Sequence, residues 1–397
     1  MITTHNILFT NASNMDSLPD YSVDLIMTSP PYPMIEMWDE IFICQNPTIK
    51  DSLNNKNGIQ AFSSMHEILD KIWNECYRVL KNGGFLCINI GDATRTINDD
   101  FQLFSNHSRI LNYLLKKGLN VLPDILWRKQ TNAPNKFMGS GMLPAGAYVT
   151  LEHEYILIFR KDSKREFKKE EYKRKRRESA IFWEERNVWF SDVWMDIKGT
   201  QQEITNNNSR LRSAAYPFEV AYRIINMFSV KGDLVLDPFL GTGTTFAASM
   251  ASCRNSIGFE IDSNFRDIIL DINRHIVNFS NSYILNRIKK HIDFAEYWIN
   301  NKGPFKYENI YYGFPVMTRQ EKELIFNELK EVKRVDKDVF EVTYLEKPEK
   351  KSFGVWISEL GKENSDMFKI NNSYLRLNRK RLKQKNLKAS QQILFSD

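Results

Sequence analysis

The chain has 397 residues, of which 42% are hydrophobic and 26% are charged. This length predicts two or three domains, and the composition is typical of a soluble globular protein rather than a small disulfide- or metal-stapled scaffold. No apolar run reaches the roughly 18 residues that a membrane helix needs, and the N-terminus lacks a secretory pattern, so we expect a cytoplasmic protein. The four cysteines lie far apart without C-x-x-C spacing, so we expect no metal site.

The excess positive charge is concentrated in two segments. The net charge is +6, from 55 Lys and Arg against 49 Asp and Glu. Residues 160–177 hold 11 basic and 4 acidic side chains, and residues 376–388 hold 7 basic and no acidic ones. Such a run is usually a solvated surface, but two runs in an otherwise acidic chain favour a polyanionic partner, because clustered cations neutralise phosphates and release counterions.

Apolar runs bounded by turn signals predict strands that alternate with helices. In chain order we expect strands at 7–9 and 23–28, a polar loop at 51–57, a helix at 68–80 stopped by Asn82-Gly83-Gly84, a buried strand at 85–90, a helix at 109–117, strands at 120–127 and 155–159, a core aromatic segment at 182–194, a helix at 218–228 and strands at 234–236 and 257–259. The alternation predicts an α/β fold with a mostly parallel, doubly wound sheet.

A glycine-rich segment in the second half of the chain has the composition of a nucleoside-binding turn. A strand ends in Asp237, and the chain turns through Gly241 and Gly243 into a helix of small residues, where a ligand can approach the backbone. Nineteen residues after Gly241, another strand ends in Glu260, an acceptor suited to a ribose diol. No Lys-Ser or Lys-Thr pair follows, and Phe246 replaces the third glycine of dinucleotide sites. The pattern therefore favours a nucleoside without a pyrophosphate, such as S-adenosylmethionine.

A proline-rich segment, Ser29-Pro30-Pro31-Tyr32, follows the second predicted strand. Because proline fixes φ, we expect a stiff, exposed turn that projects into the same cleft as the glycine-rich loop. The exocyclic amine of a base is a poor nucleophile, since its lone pair is delocalised into the ring. Hydrogen bonds from this amine to the Ser29 hydroxyl and the Pro30 carbonyl would hold the nitrogen closer to tetrahedral, and Tyr32 would stack on the base.

Together these motifs resemble those of the amino-directed DNA methyltransferases, which act on N4 of cytosine or N6 of adenine. The similar segments are the catalytic motif at 28–32, the cofactor loop at 237–245, the segment before it at 213–218 and structural motifs at 77–84 and 152–157. The resemblance covers residues 7–265. The catalytic motif precedes the cofactor loop, which is the permuted order of the family's beta group, so the resemblance implies a Rossmann-like methyltransferase fold.

The resemblance implies S-adenosylmethionine as the cofactor and assigns the site residues by motif. The implied catalytic residues are Ser29, Pro30, Pro31 and Tyr32. The implied cofactor-binding residues are Asn11, Ala12, Thr28, Tyr216, Phe218, Asp237, Pro238, Phe239, Gly241, Gly243, Thr244, Thr245, Glu260 and Asp262. Asn11 stands where many members carry an acid. No metal is implied.

The resemblance also implies a division of the chain. Residues 1–160 would form the catalytic half of the methyltransferase domain, residues 161–212 a candidate target-recognition insert, and residues 213–274 the cofactor-binding half. Residues 275–397, where the sequence pattern changes, would form a C-terminal mixed extension, with DNA recognition as one candidate role.

Serine at the first position of the catalytic motif is typical of N4-cytosine enzymes within the resembling family. The sequence therefore favours methylation of a flipped cytosine in double-stranded DNA, in a restriction–modification system with a cognate endonuclease. N6-adenine methylation, methylation of RNA or of a protein amide, and an inactive nucleic-acid-binding protein stay open as alternatives. Cytosine C5 methylation is disfavoured because the chain has no Pro-Cys pair to supply a nucleophile.

Overall fold

The computed structural model of this chain describes residues 1–129, 149–199 and 216–360. Several sequence-based predictions fall wholly or partly outside them: residues 130–148 of the catalytic half at 1–160, the end of the insert at 161–212, the start of the segment at 213–218, the end of the extension at 275–397 and the basic run at 376–388. In the described residues, no helix is long and apolar enough to cross a membrane.

Strands and helices alternate along most of the described chain. The strands are β1 (Ile2–Leu8), β2 (Val23–Thr28), β3 (Leu80–Ile90), β4 (Ala93–Ile97), β5 (Asp100–Phe104), β6 (Asn120–Arg128), β7 (His153–Arg160), β8 (Val193–Trp194), β9 (Leu234–Asp237), β10 (Asn255–Phe259), β11 (Tyr307–Glu308), β12 (Pro315–Val316), β13 (Leu329–Asp336) and β14 (Val339–Tyr344). The helices are α1 (Asp39–Gln45), α2 (Thr48–Asn54), α3 (Gly58–Val79), α4 (Asn106–Lys116), α5 (Glu170–Glu178), α6 (Trp183–Trp189), α7 (Phe218–Phe228), α8 (Thr244–Ala251), α9 (Arg266–Lys302) and α10 (Phe353–Leu360).

A ten-stranded sheet has the order β13-β14-β1-β10-β9-β2-β3-β7-β6-β8. Its five central strands, β1, β10, β9, β2 and β3, are parallel, and antiparallel pairs flank them on both sides. The predicted mostly parallel α/β sheet is therefore confirmed. Leu25 of β2 pairs with Val235 of β9, 210 residues away, so the carboxyl ends of these two strands lie side by side.

Helices cover both faces of this sheet, as a doubly wound fold requires. All six residues of β2 are buried. Ile26 packs in the cluster that contains α3 and α4, whereas Leu25 and Met27 pack with α7 on the opposite face. Trp189 and Trp194 lie in this second cluster and Phe182 is buried in another, which confirms the core prediction for these three rings, whereas Phe190 is 48% exposed.

The loop predicted at 51–57 is wrong over its first half, because α2 continues through Asn54. Ile49 is fully buried and Leu53 packs against the same core, so two apolar side chains one turn apart anchor the helix. The other residues of α2 are polar, and the sequence pattern therefore resembles a loop.

The segment Asn82-Gly83-Gly84 is not the helix stop that the sequence predicts. Helix α3 already ends at Val79, and the two glycines lie inside β3. Gly83 has φ +79°, and a Cβ there would lie 2.7 Å from the backbone nitrogen of Arg165. Glycine is needed at this position because another segment crosses close to the strand.

The predicted boundary between residues 274 and 275 falls inside α9. Beyond it, β14 pairs antiparallel with β1, with Thr4 opposite Glu341, and β13 pairs with β14. Two strands of the predicted extension, β13 and β14, therefore belong to the central sheet.

Part of the basic segment at 160–177 is engaged within the fold. The buried Lys161 ammonium donates to the Leu80 carbonyl at 2.9 Å, and Arg165 pairs with Asp233 at 2.6 Å. Several cations of α5 pair with acids of the same helix. Pairing within the protein thus accounts for part of this charge, and phosphate contact by the remaining cations stays a prediction.

Candidate active site

Asp237 lies at the centre of a buried hydrogen-bond cluster at the end of β9. Thr28 donates to Oδ1 at 2.6 Å and Thr245 donates to Oδ2 at 2.5 Å. The backbone N–H of Phe239 also donates to Oδ1, and the Tyr216 hydroxyl is hydrogen-bonded to Thr245. Burial raises the pKa of Asp237 above its ordinary value, while the threonine donors act in the opposite direction. The cluster ties β2, β9 and the start of α8 together.

The two glycines of the predicted cofactor loop have different surroundings. Both have positive φ, +55° at Gly241 and +83° at Gly243. A Cβ on Gly243 would lie 2.7 Å from Cδ1 of Ile272, so this glycine permits close packing against α9. A Cβ on Gly241 would have no neighbour closer than the Phe239 carbonyl oxygen at 3.9 Å. Gly241 therefore faces open space in which a ligand could lie against the backbone.

Glu260 follows β10 and faces the same loop. Its carboxylate accepts the N–H of Gly241 at 2.7 Å and the N–H of Asp262 at 2.8 Å. Burial raises the pKa of Glu260 from 4.5 to about 7. Each oxygen keeps a further lone pair, so the group can accept hydrogen bonds from a ribose diol. The Asp262 carboxylate instead accepts the N–H of Asn264, and its side chain is half-buried at the rim.

Asn11 and Ala12 lie in the loop after β1, beside β10. The Asn11 side chain donates to Gln45 and accepts the N–H of Ser13, both at 2.9 Å. Ala12 is buried in the core, where its methyl group packs among apolar side chains. Asn11 is thus already hydrogen-bonded on both its amide atoms within the protein.

The other predicted cofactor residues surround the glycine loop and the start of α7. The Phe218 ring begins α7 and packs on Tyr222 and Phe279, with centroids 5.4 and 4.7 Å away. Pro238 and Phe239 connect β9 to the loop, and Thr244 is the first residue of α8.

The catalytic segment leaves the sheet in irregular backbone, as its prolines predict, but the prediction that it is exposed is wrong. Pro30 is buried, and Tyr32 is only 9% exposed. The Tyr32 ring packs on Gly91 just beyond β3, where a Cβ would lie 2.9 Å from the ring. The Ser29 and Tyr32 hydroxyls are 3.2 Å apart. Close packing against the residue that follows β3 therefore buries a turn that the local sequence predicts to be at the surface.

Asn89 and Glu154 complete this cluster, and the sequence interpretation missed both. The amide nitrogen of Asn89 lies 2.7 Å from Glu154 Oε2, 2.9 Å from the Tyr32 hydroxyl and 3.4 Å from the Ser29 hydroxyl. Glu154 also forms an ion pair with Lys129. Asn89 interrupts the apolar run at 85–90, and that interruption is the signal that could have identified it, whereas Glu154 precedes the apolar run at 155–159 and carries no such signal.

Tyr32 is held as a neutral phenol. Its burial, reinforced by the negative charge of Glu154, raises the pKa of the hydroxyl well above its ordinary value of 10. The hydroxyl is therefore available as a hydrogen-bond donor at neutral pH.

The described residues suit an adenosine-type cofactor better than a metal. Gly241 leaves a space that a Cβ would fill, and Glu260 places acceptors beside it. In the described ranges, no group of three or more His, Cys, Asp or Glu side chains could hold a metal ion. The residues at the ends of β9 and β10 thus fit S-adenosylmethionine.

The chain is similar in sequence and in fold to known DNA methyltransferases. Residues 23–271 match a family model described as DNA methylase. The type II methyltransferase M.MthZI of Methanothermobacter thermautotrophicus is 51% identical over 352 residues, covering 88% of this chain and 98% of its own. M.MjaI of Methanocaldococcus jannaschii is 50% identical over 278 residues, covering 67% and 90%. The solved structure of a proposed DNA modification methylase from Thermus thermophilus, complexed with S-adenosyl-L-methionine, has a TM-score of 0.52 at 28% identity, covering 69% and 95%.

Proposed function

We propose, because this chain belongs to the DNA methylase family, that it transfers a methyl group from S-adenosylmethionine to the N4 amine of cytosine in double-stranded DNA. The observation that carries the choice of cytosine is Ser29 at the first position of the catalytic segment, at the end of β2. Its neighbour Thr28 belongs to the buried cluster of Asp237, so the segment adjoins the cofactor loop.

The cofactor supplies an electrophilic methyl group carried on a sulfonium. Glu260 would accept hydrogen bonds from its ribose hydroxyls, and the backbone at Gly241 would lie against it. Asn11, Phe218 and Phe239 would line the rest of this site. This proposal is supported by the open side of Gly241 and by the free lone pairs of the Glu260 carboxylate.

The catalytic segment would bind and orient the base. Within a duplex the amine cannot reach the methyl group in line, so the cytosine must flip out of the stack, at a cost of a few kcal/mol. The Ser29 hydroxyl and the Pro30 carbonyl would accept hydrogen bonds from the amine. Pro31 would keep the backbone rigid, and Tyr32 would stack on the base. The amine nitrogen would attack the methyl carbon directly while the methyl–sulfur bond breaks, the thioether would leave and the surplus amine proton would pass to solvent, so orientation supplies much of the rate and no covalent enzyme intermediate is needed.

A restriction–modification role would follow from this activity. Two relatives about half identical to this chain are named type II methyltransferases, which supports the proposal. The methylated site would then be protected from a cognate endonuclease. Plasmid recovered from a host that carries the gene should resist that endonuclease, and cleavage at every site by all endonucleases tested would contradict the role.

The activity is tested by identifying the methylated nucleoside. Purified protein is incubated with unmethylated plasmid DNA and S-adenosylmethionine, and the DNA is digested and analysed by mass spectrometry, with Ser29→Ala as the low-activity control. We expect N4-methylcytosine. N6-methyladenine would overturn the assignment of cytosine while keeping an amine as the acceptor, and no methylation of several diverse DNAs would overturn the proposed function.

A further inference from the structure

We propose that Glu154 is a positioning residue, which acts through the amide of Asn89 on the hydroxyls of Ser29 and Tyr32. The inference rests on the proposed function, since it takes these hydroxyls to be the groups that hold the target base. It assigns a role in the reaction to β7, which contributes none of the residues predicted from the sequence.

The register of the sheet brings the two side chains together. Asn89 of β3 lies opposite Ile156 of β7, and Glu154 is two residues from Ile156 on the same face. Both side chains are buried, Asn89 at 1% and Glu154 at 8% exposure. A Cβ at Gly91 would lie 3.3 Å from Glu154 Cγ, so close packing as well as hydrogen bonding fixes the carboxylate.

Glu154 determines which way the Asn89 amide faces. A carboxylate only accepts hydrogen bonds, so the amide must turn its nitrogen toward Glu154, which lies 2.7 Å away. The same nitrogen then donates its second proton to the Tyr32 oxygen at 2.9 Å. The ion pair with Lys129 holds the carboxylate from its other oxygen.

This orientation leaves the proton of the Tyr32 hydroxyl free to be donated to Ser29. Because the Tyr32 oxygen accepts from Asn89, its own proton can be donated to the Ser29 oxygen at 3.2 Å. That oxygen has a second lone pair, which stays available for an amine proton of the base. The chain of donors thus begins at the Asn89 amide and ends at the atom that would hold the target amine.

The Asn89 amide is held in the orientation that leaves its oxygen without a hydrogen bond. Asn89 Oδ1 is buried and has no hydrogen-bond partner in the described part of the protein. If the amide flipped, this oxygen could accept from the Tyr32 hydroxyl, but it would then face the Glu154 carboxylate at close range. A buried acceptor without a partner costs free energy, and such costs are concentrated at functional sites. Glu154 is what keeps the less satisfied orientation.

The first test is Glu154→Gln, with Glu152→Gln as the matched control. Glu152 is two residues earlier in the chain, is more exposed and pairs with Arg128, away from the catalytic segment. A glutamine at 154 can present either an oxygen or a nitrogen to Asn89, so it no longer enforces one orientation. We expect kcat to fall about 10- to 100-fold, the range that a small misplacement of reacting groups produces.

The measured quantities separate positioning from a structural role. For Glu154→Gln we expect the KM for DNA, the affinity for S-adenosylmethionine and the Tm to stay near the wild-type values, and for Glu152→Gln we expect all four quantities to stay near them. A fall of cofactor affinity and Tm together with kcat would overturn the proposal in favour of a structural role. A wild-type kcat for Glu154→Gln would also overturn it.

A double-mutant cycle tests whether Glu154 acts through Asn89. In an Asn89→Leu background, which removes the amide but keeps a side chain of similar size, Glu154→Gln should lower kcat by no more than about twofold. A full effect in this background would overturn the proposal. Absence of DNA methylation by the wild-type protein would overturn the proposed function itself, whereas an active wild type beside a fully active Glu154→Gln would overturn only the positioning role.

Discussion

Thr28 and Ser29 are neighbours at the end of β2, but their hydroxyls belong to two different clusters. Thr28 donates to the buried carboxylate of Asp237 at 2.6 Å, and both oxygens of that carboxylate accept further hydrogen bonds from within the protein. The Ser29 hydroxyl has contacts of 3.2 Å with Tyr32 and 3.4 Å with Asn89, and Asn89 keeps an acceptor without a partner among the described residues. We call the first the closed cluster and the second the open cluster.

The comparison distinguishes the hydrogen bonds that hold the strands together from the groups that remain available to a ligand. The short bonds of the closed cluster join β2, β9 and α8, and a ligand could add little to them. In the open cluster the Ser29 hydroxyl has only long contacts, so it keeps hydrogen-bonding capacity that a base could use. The same contrast recurs in the glycine loop, where Gly243 packs against Ile272 and Gly241 faces open space.

The largest effect on stability should come from the centre of the closed cluster. Asp237→Ala would leave the donors of Thr28, Thr245 and Phe239 without their acceptor, and each orphaned buried donor costs about 1 to 3 kcal/mol. We expect the free energy of unfolding to fall by about 3 kcal/mol or more in urea denaturation. The exposed Asp293→Ala is the control and should change it by less than about 0.5 kcal/mol. Equal effects of the two would remove the distinction between the clusters.

Substitutions of Ser29 and Thr28 should have opposite effects, one on activity and the other on stability. Ser29→Ala should lower kcat about 100-fold, as the loss of one preorganised hydrogen-bonding group does, with an unchanged Tm. Thr28→Val keeps the side-chain shape but removes a donor from Asp237, so it should lower the free energy of unfolding by about 1 to 3 kcal/mol. Steady-state kinetics and calorimetry on both variants provide the measurement. A loss of stability in Ser29→Ala would show that the open cluster also supports the fold.

Glu260 should make cofactor binding depend on pH. Its folded pKa is about 7, above the ordinary 4.5, and hydroxyl donors from a ribose favour the charged form. The affinity for S-adenosylmethionine should therefore rise about tenfold between pH 6 and pH 8, and this dependence should vanish in Glu260→Gln. Titration calorimetry at several pH values measures both. A pH-independent affinity of the wild type would mean that this carboxylate does not face the cofactor.

The stability of the unliganded protein should depend on pH in the opposite direction, falling as the pH rises. Because the folded pKa of Glu260 is raised, the folded state holds its proton more tightly than the unfolded state between pH 4.5 and 7. The stability contributed by this group is therefore full below pH 4.5 and is lost as the pH rises through 7. Glu260→Gln should remove this part of the pH dependence from urea denaturation curves.

We expect the smallest effects from alanine substitutions of Gly241 and Gly243, which should differ in their effects on stability and on cofactor affinity. Either alanine substitution costs about 1 to 2 kcal/mol for the left-handed backbone, and Gly243→Ala should cost more because its Cβ would meet Ile272. Gly241→Ala should instead cause the greater loss of cofactor affinity, since its Cβ would enter the open space. Thermal melts and cofactor titrations on both variants are the comparison. The opposite ranking in either measurement would contradict the assignment of open and closed sides.

The sequence predicts the elements that carry strong local signals. Strand β2 and helix α7 have the predicted bounds, because apolar runs there are enclosed by polar turns and prolines. Helix α2 escapes prediction because only Ile49 and Leu53 mark its buried side.

The two segments proposed to bind the base and the cofactor are also identifiable from their motifs, but the environment of the first segment is not. Tyr32 is buried because Gly91 of another segment leaves room for its ring. Asn89 and Glu154 meet only through the register of β3 on β7, which no local pattern contains. Residues whose roles depend on a partner far away in the chain are therefore the ones that the sequence interpretation omits.

The position of β1 in the sheet has a consequence for synthesis on the ribosome. Its two neighbours are β10, where Ser256 lies opposite His5, and β14, where Glu341 lies opposite Thr4. At about 5 to 20 residues per second, the first partner is translated roughly 10 to 50 seconds after β1 itself. An unpaired strand is a template for association with other chains, so β1 is exposed to such association until translation reaches β10.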